Sequence, residues 1–123
     1  MKHSHAVALV GAGGFVGALS RYYVGLFVPD LFSTFTVNVV GCFALGYVLQ
    51  SARRDTISEH LRVLIAVGFV SSLTTYSGFA YDAYASCPVV AVVYIGANYC
   101  VGFFAVAVGA YLVETSGKGG IAG

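Results

Sequence analysis

Residues 68–79 read Gly-Phe-Val-Ser-Ser-Leu-Thr-Thr-Tyr-Ser-Gly-Phe, and they concentrate five Ser and Thr hydroxyls within an uncharged stretch from residue 63 to residue 81. Hydroxyl side chains compete with the backbone for hydrogen bonds, and Gly78 lowers the helix propensity further. If this stretch is helical, the pattern predicts a helix broken near its middle. The sequence on either side decides in which solvent that helix lies.

The composition of the chain points to lipid as that solvent. Of its 123 residues, 59% are hydrophobic and 9% are charged, whereas soluble domains carry about 25% charged residues. A chain this small cannot bury so much apolar side chain. The net charge of +1 offers no basic surface, so we expect no nucleic-acid partner. We expect neither an enzyme nor an organic cofactor.

The charged residues divide the chain into apolar segments that are long enough to cross a membrane, which takes about 20 residues. Pro29 and Pro88 mark two of the boundaries. The Gly-rich tail at 117–123 is predicted to be disordered. We predict an all-α membrane protein, a single transmembrane domain over 1–123, with helices at about 6–27, 32–52, 62–84 and 88–113.

The basic residues favour one orientation of these four helices. The N-terminus, the 53–61 connector and the tail share one side, whereas the connectors at 28–31 and 85–87 contain no Lys or Arg. By the positive-inside rule, both termini are predicted to be cytoplasmic. Five of the six basic residues lie on that side: Lys2, Arg53, Arg54, Arg62 and Lys118.

Polar residues inside the spans are costly, and they usually have a partner or a function. Arg21 either extends toward the membrane surface or is a buried structural or vestibule charge. Asn38 and Asn98 either form interhelical hydrogen bonds or line a water-filled path, and Tyr94 lies one turn from Asn98. The broken helix also indicates transport or ion binding, because irregular backbone at membrane depth must be buried in protein or line a cavity. Freed carbonyls can hold a cation, and freed N–H groups can hold an anion.

The sequence resembles the small fluoride channels of the Fluc, or CrcB, family over about residues 11–110. In the third helix the resemblance rests on Gly68-Phe69 and on Leu73-Thr-Thr-Tyr-Ser-Gly-Phe79, with Asp82 after them. In the first two helices it rests on Gly14-x-x-Gly17-Ala-x-x-Arg21-Tyr22 and on Thr36-Val-Asn38-x-x-Gly41-x-Phe43-x-x-Gly46.

The resemblance implies a fluoride-selective channel that lets cytoplasmic fluoride leave a prokaryotic cell passively and so reduces fluoride toxicity. It implies an antiparallel, dual-topology dimer in the cell membrane, with a helix 3 broken mid-membrane. Aromatic rings carry a positive edge that can coordinate an anion. The implied anion pathway includes Asn38, Thr75, Tyr76, Ser77 and Phe79, with Arg21 in a vestibule or a structural role.

The resemblance also implies a structural sodium ion at the dimer axis, held by the main-chain carbonyls of Ser71 and Thr74. At two of the site positions that the resemblance implies, the chain departs from the family pattern. Ser71 replaces a glycine, which matters if the backbone there requires glycine. Tyr76 replaces the first phenylalanine of the pore, and its hydroxyl adds a polar group.

The one-sided distribution of basic residues suggests the kind of dimer. A chain that inserts in both orientations needs balanced loop charges, and this chain has an imbalance. We therefore hypothesise a heterodimer with a homologous subunit of opposite topology, and a homodimer is the alternative. Two other functions are weighed. A small multidrug-type exporter needs an embedded carboxylate, which helix 1 lacks, and a non-conducting membrane subunit would tolerate the altered helix 3.

Overall fold

A computed structural model describes the backbone of residues 1–122 and the side chains of residues 1–116. The disorder predicted for 117–123 stays a prediction. We number the helices in chain order, and α3 comprises an α-helical start, a π-helical middle and an α-helical end. The helices are α1 (His3–Phe27), α2 (Asp30–Arg53), α3 (59–73, made of Glu59–Arg62, Val63–Val70 and Ser71–Leu73), α4 (Tyr76–Ala85) and α5 (Pro88–Ala122).

Four helical segments are long and apolar enough to cross a membrane, and α3 and α4 together form the third of them. In the apolar 18-residue stretch of each segment, no more than 28% of the residues are buried within the chain. Apolar surface exposed on this scale requires lipid or another protein around it. The predicted all-helical chain with four apolar segments of membrane-spanning length is confirmed. The segments are His3–Phe27, Asp30–Arg53, Glu59–Ala85 and Pro88–Ser116.

The connector between α2 and α3 is shorter than the predicted 53–61. Helix α3 begins at Glu59 because the Ser58 hydroxyl accepts a hydrogen bond from the Leu61 N–H at 3.1 Å, which is the usual N-cap arrangement. Asp55 has a positive φ of 55° and turns the chain after α2, a conformation that Asp tolerates better than most residues.

Glycines set the closest packing between α1 and α3. A Cβ atom on Gly13 would overlap the carbonyl oxygen of Leu64, and one on Gly17 would overlap that of Phe69. From the other side, a Cβ on Gly68 would lie 3.0 Å from the Cα of Gly13. Small residues allow such close approach of membrane helices, so α1 and the π-helical part of α3 form one tightly packed pair.

Helices α2 and α5 form the second tightly packed pair. A Cβ on Gly46 would overlap the carbonyl oxygen of Val106, and one on Gly109 would overlap that of Phe43. The two pairs then meet through α2, since a Cβ on Gly41 would overlap the side chain of Thr74. Helix α2 therefore lies at the centre of the fold, next to the point where α3 ends.

Two polar contacts bring the helix ends with basic residues together. The N-terminal ammonium lies 3.9 Å from a carboxylate oxygen of Glu59. The Gln50 amide donates a hydrogen bond to Glu114 at 3.2 Å. The N-terminus, the end of α2, the start of α3 and the last described turns of α5 thus lie at one end of the bundle.

Candidate functional site

The polar site begins where the third segment departs from helical geometry. Thr74 and Thr75 lie between α3 and α4, and both have extended backbone, with φ and ψ of −79° and 157° and of −146° and 125°. The Thr74 hydroxyl bonds back to the Val70 carbonyl at 2.9 Å. The Thr75 hydroxyl caps α4 by accepting from the Gly78 N–H at 3.0 Å. Both threonines thus use their hydroxyls to satisfy helix ends.

Asn38 of α2 bonds to both backbone groups of Thr75. The Thr75 N–H donates to the Asn38 side-chain oxygen at 2.9 Å, and the Asn38 amide nitrogen donates to the Thr75 carbonyl at 3.2 Å. Unpaired backbone groups in an apolar environment are expensive. The Asn38 amide therefore stabilises the extended residue, and one N–H of its NH₂ group is left for a further acceptor.

Arg21 of α1 reaches the same place from the other side. Its Nη1 atom donates to the Thr74 carbonyl at 3.4 Å, and the residue is half-buried. Among residues 1–116, no carboxylate lies within salt-bridge distance of the guanidinium. Of the two sequence interpretations of Arg21, this contact favours the buried, structural one.

Aromatic rings surround the start of α4. The ring centroid of Phe79 lies 5.9 Å from that of Tyr76, 5.5 Å from that of Tyr94 and 6.0 Å from that of Tyr99. The Phe79–Tyr99 pair is edge-to-face, with an interplanar angle of 87°. Phe79 is 9% exposed and belongs to the core, whereas Tyr76 is 75% exposed and lies on the surface of the chain.

A cavity of about 350 Å³ joins most of these groups. Four of the sequence-predicted anion-pathway residues line it, namely Asn38, Thr75, Tyr76 and Phe79. Ser77 does not line it, but its hydroxyl lies 3.4 Å from the lining hydroxyl of Thr75. Arg21 and Ser71 lie outside the lining, while Thr74 belongs to it. The cavity is mainly aromatic and apolar, with a few converging polar groups, as ligand sites usually are.

Helix α5 adds polar groups that sequence reasoning named only by their spacing. The Tyr94 hydroxyl donates to the Asp82 carboxylate at 3.3 Å, and the Asn98 amide nitrogen donates to the Tyr94 carbonyl at 2.8 Å. Within residues 1–116, the side-chain oxygen of Asn98 is the one buried side-chain polar atom without a hydrogen-bond partner. Asn98 lines the cavity. The one-turn spacing of Tyr94 and Asn98 in the sequence indicated that these two residues lie together. Nothing in the sequence indicated the contact between Tyr94 and Asp82.

The residues predicted to hold sodium offer main-chain carbonyl oxygens, and their backbone angles do not require glycine at Ser71. Ser71 has helical φ and ψ of −61° and −33°, so the position does not require glycine. The Thr75 N–H, which would bond to the Ser71 carbonyl in a continuous α-helix, is taken by Asn38 instead. Thr74, whose carbonyl is the second predicted ligand, has extended backbone and lies outside the helices. Main-chain carbonyl oxygens are suitable ligands for such a cation.

Four apolar helical segments, of which the last three line an aromatic cavity next to the amide-braced break, define a small polytopic membrane protein with a polar site between its helices. The family described as CrcB-like protein, Camphor Resistance (CrcB), matches residues 8–110. The chain belongs to the CrcB family.

Several relatives resemble the chain over most of its length. The fluoride-specific ion channel FluC 1 of Natronomonas pharaonis is 43% identical over 106 residues, which cover 84% of this chain and 89% of the relative. FluC 1 of Haloarcula marismortui is 41% identical, with 93% of this chain and 90% of the relative covered. FluC of Trichormus variabilis is 35% identical, with 97% and 93% covered.

Proposed function

We propose that this chain is a subunit of a fluoride-specific ion channel that lets cytoplasmic fluoride leave the cell passively. The observation that carries the proposal is the cavity in which Asn38, Thr75, Tyr76 and Phe79 meet. Membership of the CrcB family and relatives that are fluoride-specific channels support it. No nucleotide or proton gradient is required, because the membrane potential drives an anion out of the cell.

The chemistry of the cavity suits a small anion that has lost water. Ring edges of Phe79 and Tyr76 offer positive electrostatic potential. The free N–H of the Asn38 amide and the hydroxyl of Thr75 add hydrogen-bond donors, and the Ser77 hydroxyl lies 3.4 Å from that of Thr75. Several weak contacts in sequence allow an ion to enter and to leave, which conduction requires. Neutral HF that crosses the bilayer dissociates in the cytoplasm, and the channel returns the resulting fluoride.

We further propose that the working unit is an antiparallel dimer, with the break at Thr74 and Thr75 at mid-membrane depth and both termini in the cytoplasm. Large aromatic side chains beside the cavity support a partner, since Tyr76 is 75% exposed and Phe103 is 71% exposed. In such a dimer a sodium ion on the axis would be held by the carbonyls of Ser71 and Thr74, and its charge would stabilise the junction of the two breaks.

The partner in this proposal is a homologous chain of opposite topology rather than a second copy. Lys2, Arg53, Arg54 and Arg62 lie at the end of the bundle that carries the N-terminus. A charge bias of this kind opposes insertion in both orientations. The homodimer is the alternative, and purification of the chain expressed alone distinguishes the two by whether it forms an antiparallel dimer that conducts.

Fluoride efflux from liposomes tests the proposed function. We expect fluoride efflux without proton coupling and without comparable chloride efflux, from the chain alone or co-expressed with its homologue. Phe79→Ala should slow the efflux by roughly tenfold, because a loss of about 1.4 kcal/mol at the rate-limiting barrier has that effect. Phe27→Ala, at an 84% exposed position at the end of α1, is the control.

Three results would contradict the proposal. Unchanged efflux in Phe79→Ala would contradict the pathway assignment. Proton-coupled movement of an organic cation would favour a small multidrug-type exporter. Absence of fluoride efflux from both the single chain and the co-expressed pair would favour a non-conducting membrane subunit.

A further inference from the structure

The carbonyl oxygen of Thr74 is a hydrogen-bond acceptor for Arg21 and also a ligand of the proposed sodium ion. Thr74 belongs to the donor set of the sodium site in the proposed function, and its carbonyl already accepts a hydrogen bond from Arg21 at 3.4 Å. The contact joins residues 53 positions apart in sequence.

We propose that Arg21 is a tethered cation that competes with sodium for the Thr74 carbonyl. In this chain sodium therefore binds more weakly than it would without Arg21, and the break keeps its structure when sodium is absent. The inference rests on the sodium site of the proposed function.

The packing of α1 directs Arg21 at the break. Gly13, Gly17 and Arg21 are spaced four residues apart, so they lie along one face of α1. Gly13 and Gly17 lie against the backbone of α3, and Arg21 continues the same face toward the end of α3. Helix packing therefore holds the guanidinium near the Thr74 carbonyl instead of at the membrane surface.

The electrostatic environment favours a cation at this position. The end of α3 presents carbonyl oxygens, which form the negative end of a helix dipole. Since no carboxylate among residues 1–116 lies within salt-bridge distance of Arg21, its charge is available to these carbonyls. A carbonyl oxygen has two lone pairs and can accept from a guanidinium or bind sodium. Simultaneous binding would bring two positive charges close together in a medium of low dielectric constant, which is unfavourable.

Thermal unfolding of the purified full-length protein in detergent tests the competition. The melting temperature is measured in increasing NaCl, with N-methyl-D-glucamine chloride replacing sodium at constant ionic strength. We expect the wild-type melting temperature to change little. Arg21→Gln should melt lower without sodium and recover as sodium is added, with a half-saturating concentration roughly tenfold below that of the wild type, because a ligand stabilises the state it binds.

Arg54→Gln is the matched control, because Arg54 is exposed in the connector after α2, and it should respond to sodium as the wild type does. An equal sodium response in wild type and Arg21→Gln would overturn the proposal. If Arg21→Gln does not fold in either salt, Arg21→Lys decides. Lysine keeps the charge on a shorter, unforked group, so an intermediate sodium response supports the proposal and a wild-type response contradicts it.

The melting experiment is independent of fluoride transport. A chain that conducts no fluoride but shows the expected difference in sodium response would contradict the channel function and leave the competition intact. A chain that conducts fluoride, but in which wild type and Arg21→Gln respond equally to sodium, would support the channel function and contradict the competition.

Discussion

At the scale of single residues, the Asn38 amide has two separable tasks. Its oxygen and one of its N–H groups bond to the backbone of Thr75, at 2.9 Å and 3.2 Å. Only the second N–H is available to an ion in the cavity. A residue that we propose for the anion pathway is therefore also the one that holds the extended backbone of Thr75.

Asn38→Asp should separate the brace from the shape of the side chain. The carboxylate has nearly the same volume and can still accept from the Thr75 N–H, but it has no donor for the Thr75 carbonyl. We expect the free energy of unfolding to fall by about 2 kcal/mol, the usual cost of an unsatisfied buried group, and fluoride efflux to be lost. Chemical denaturation and liposome efflux measure the two effects.

Ser20→Ala is a suitable control for this prediction, because the Ser20 hydroxyl bonds only to the Val16 carbonyl of its own helix. Its stability and efflux should stay near those of the wild type. An Asn38→Asp protein as stable as that control would contradict the role of the amide as a brace.

The residue contacts also show where sequence reasoning ends. Competition between hydroxyls and backbone is a local property, and it directed attention to the stretch that contains Thr74 and Thr75. The partners of these threonines, Asn38 and Arg21, lie 37 and 53 residues away in sequence. Such pairings depend on how helices pack, which no local spacing encodes, so the sequence left both interpretations of Arg21 open.

At the scale of helices, two glycine-mediated pairs give the fold its framework. Helix α1 packs on α3, and α2 packs on α5, in each case with backbone against backbone. Without a hydrophobic driving force between helices in lipid, close packing of this kind is a principal source of stability. The site lies between the two pairs and depends on their spacing.

Substitution of one glycine from the α2–α5 pair should show this dependence. Gly46→Ala would place a methyl group on the Val106 carbonyl oxygen and force the helices apart. We expect a destabilisation of about 2 kcal/mol, in the range of overpacking effects. Gly11→Ala has nothing within 4 Å of its added Cβ, and it should be neutral or slightly stabilising, because Ala favours helix.

Chemical denaturation of the two variants under identical conditions measures the difference. If both behaved alike, the close contact between α2 and α5 would not be a main source of stability.

The spacing of the charged residues predicted four helical segments, because the uncharged intervals between them are about as long as a membrane-spanning helix. The π-helical hydrogen bonding of Val63–Val70 follows no side-chain period and could not be predicted in this way.

At the scale of the whole molecule, four of the basic residues, Lys2, Arg53, Arg54 and Arg62, lie at one end of the bundle. The contact between the N-terminus and Glu59 and the contact between Gln50 and Glu114 bring the relevant helix ends together. The opposite end carries the short connector around Cys87, an exposed residue. Orientation in the membrane can therefore be read from a native side chain.

Labelling of Cys87 in intact cells tests the single orientation. A membrane-impermeant maleimide should react with Cys87 on nearly every copy, because this connector lies outside the cell in the orientation that we propose. A chain inserted both ways would be labelled on about half of its copies under the same principle. Cys87→Ser gives the background from the other cysteines, and half labelling would favour the homodimer.

The bond between Asn38 and Thr75 has a consequence for biosynthesis. Each unpaired backbone group in lipid costs several kcal/mol, so with the break at the proposed mid-membrane depth we expect the third segment to insert poorly without α2. Asn38 precedes Thr75 in the chain, and α2 has left the ribosome before the threonines emerge. The order of synthesis thus supplies the acceptor and donor before they are needed. We expect a circularly permuted chain that makes α2 last to insert poorly, although its final contacts would be unchanged.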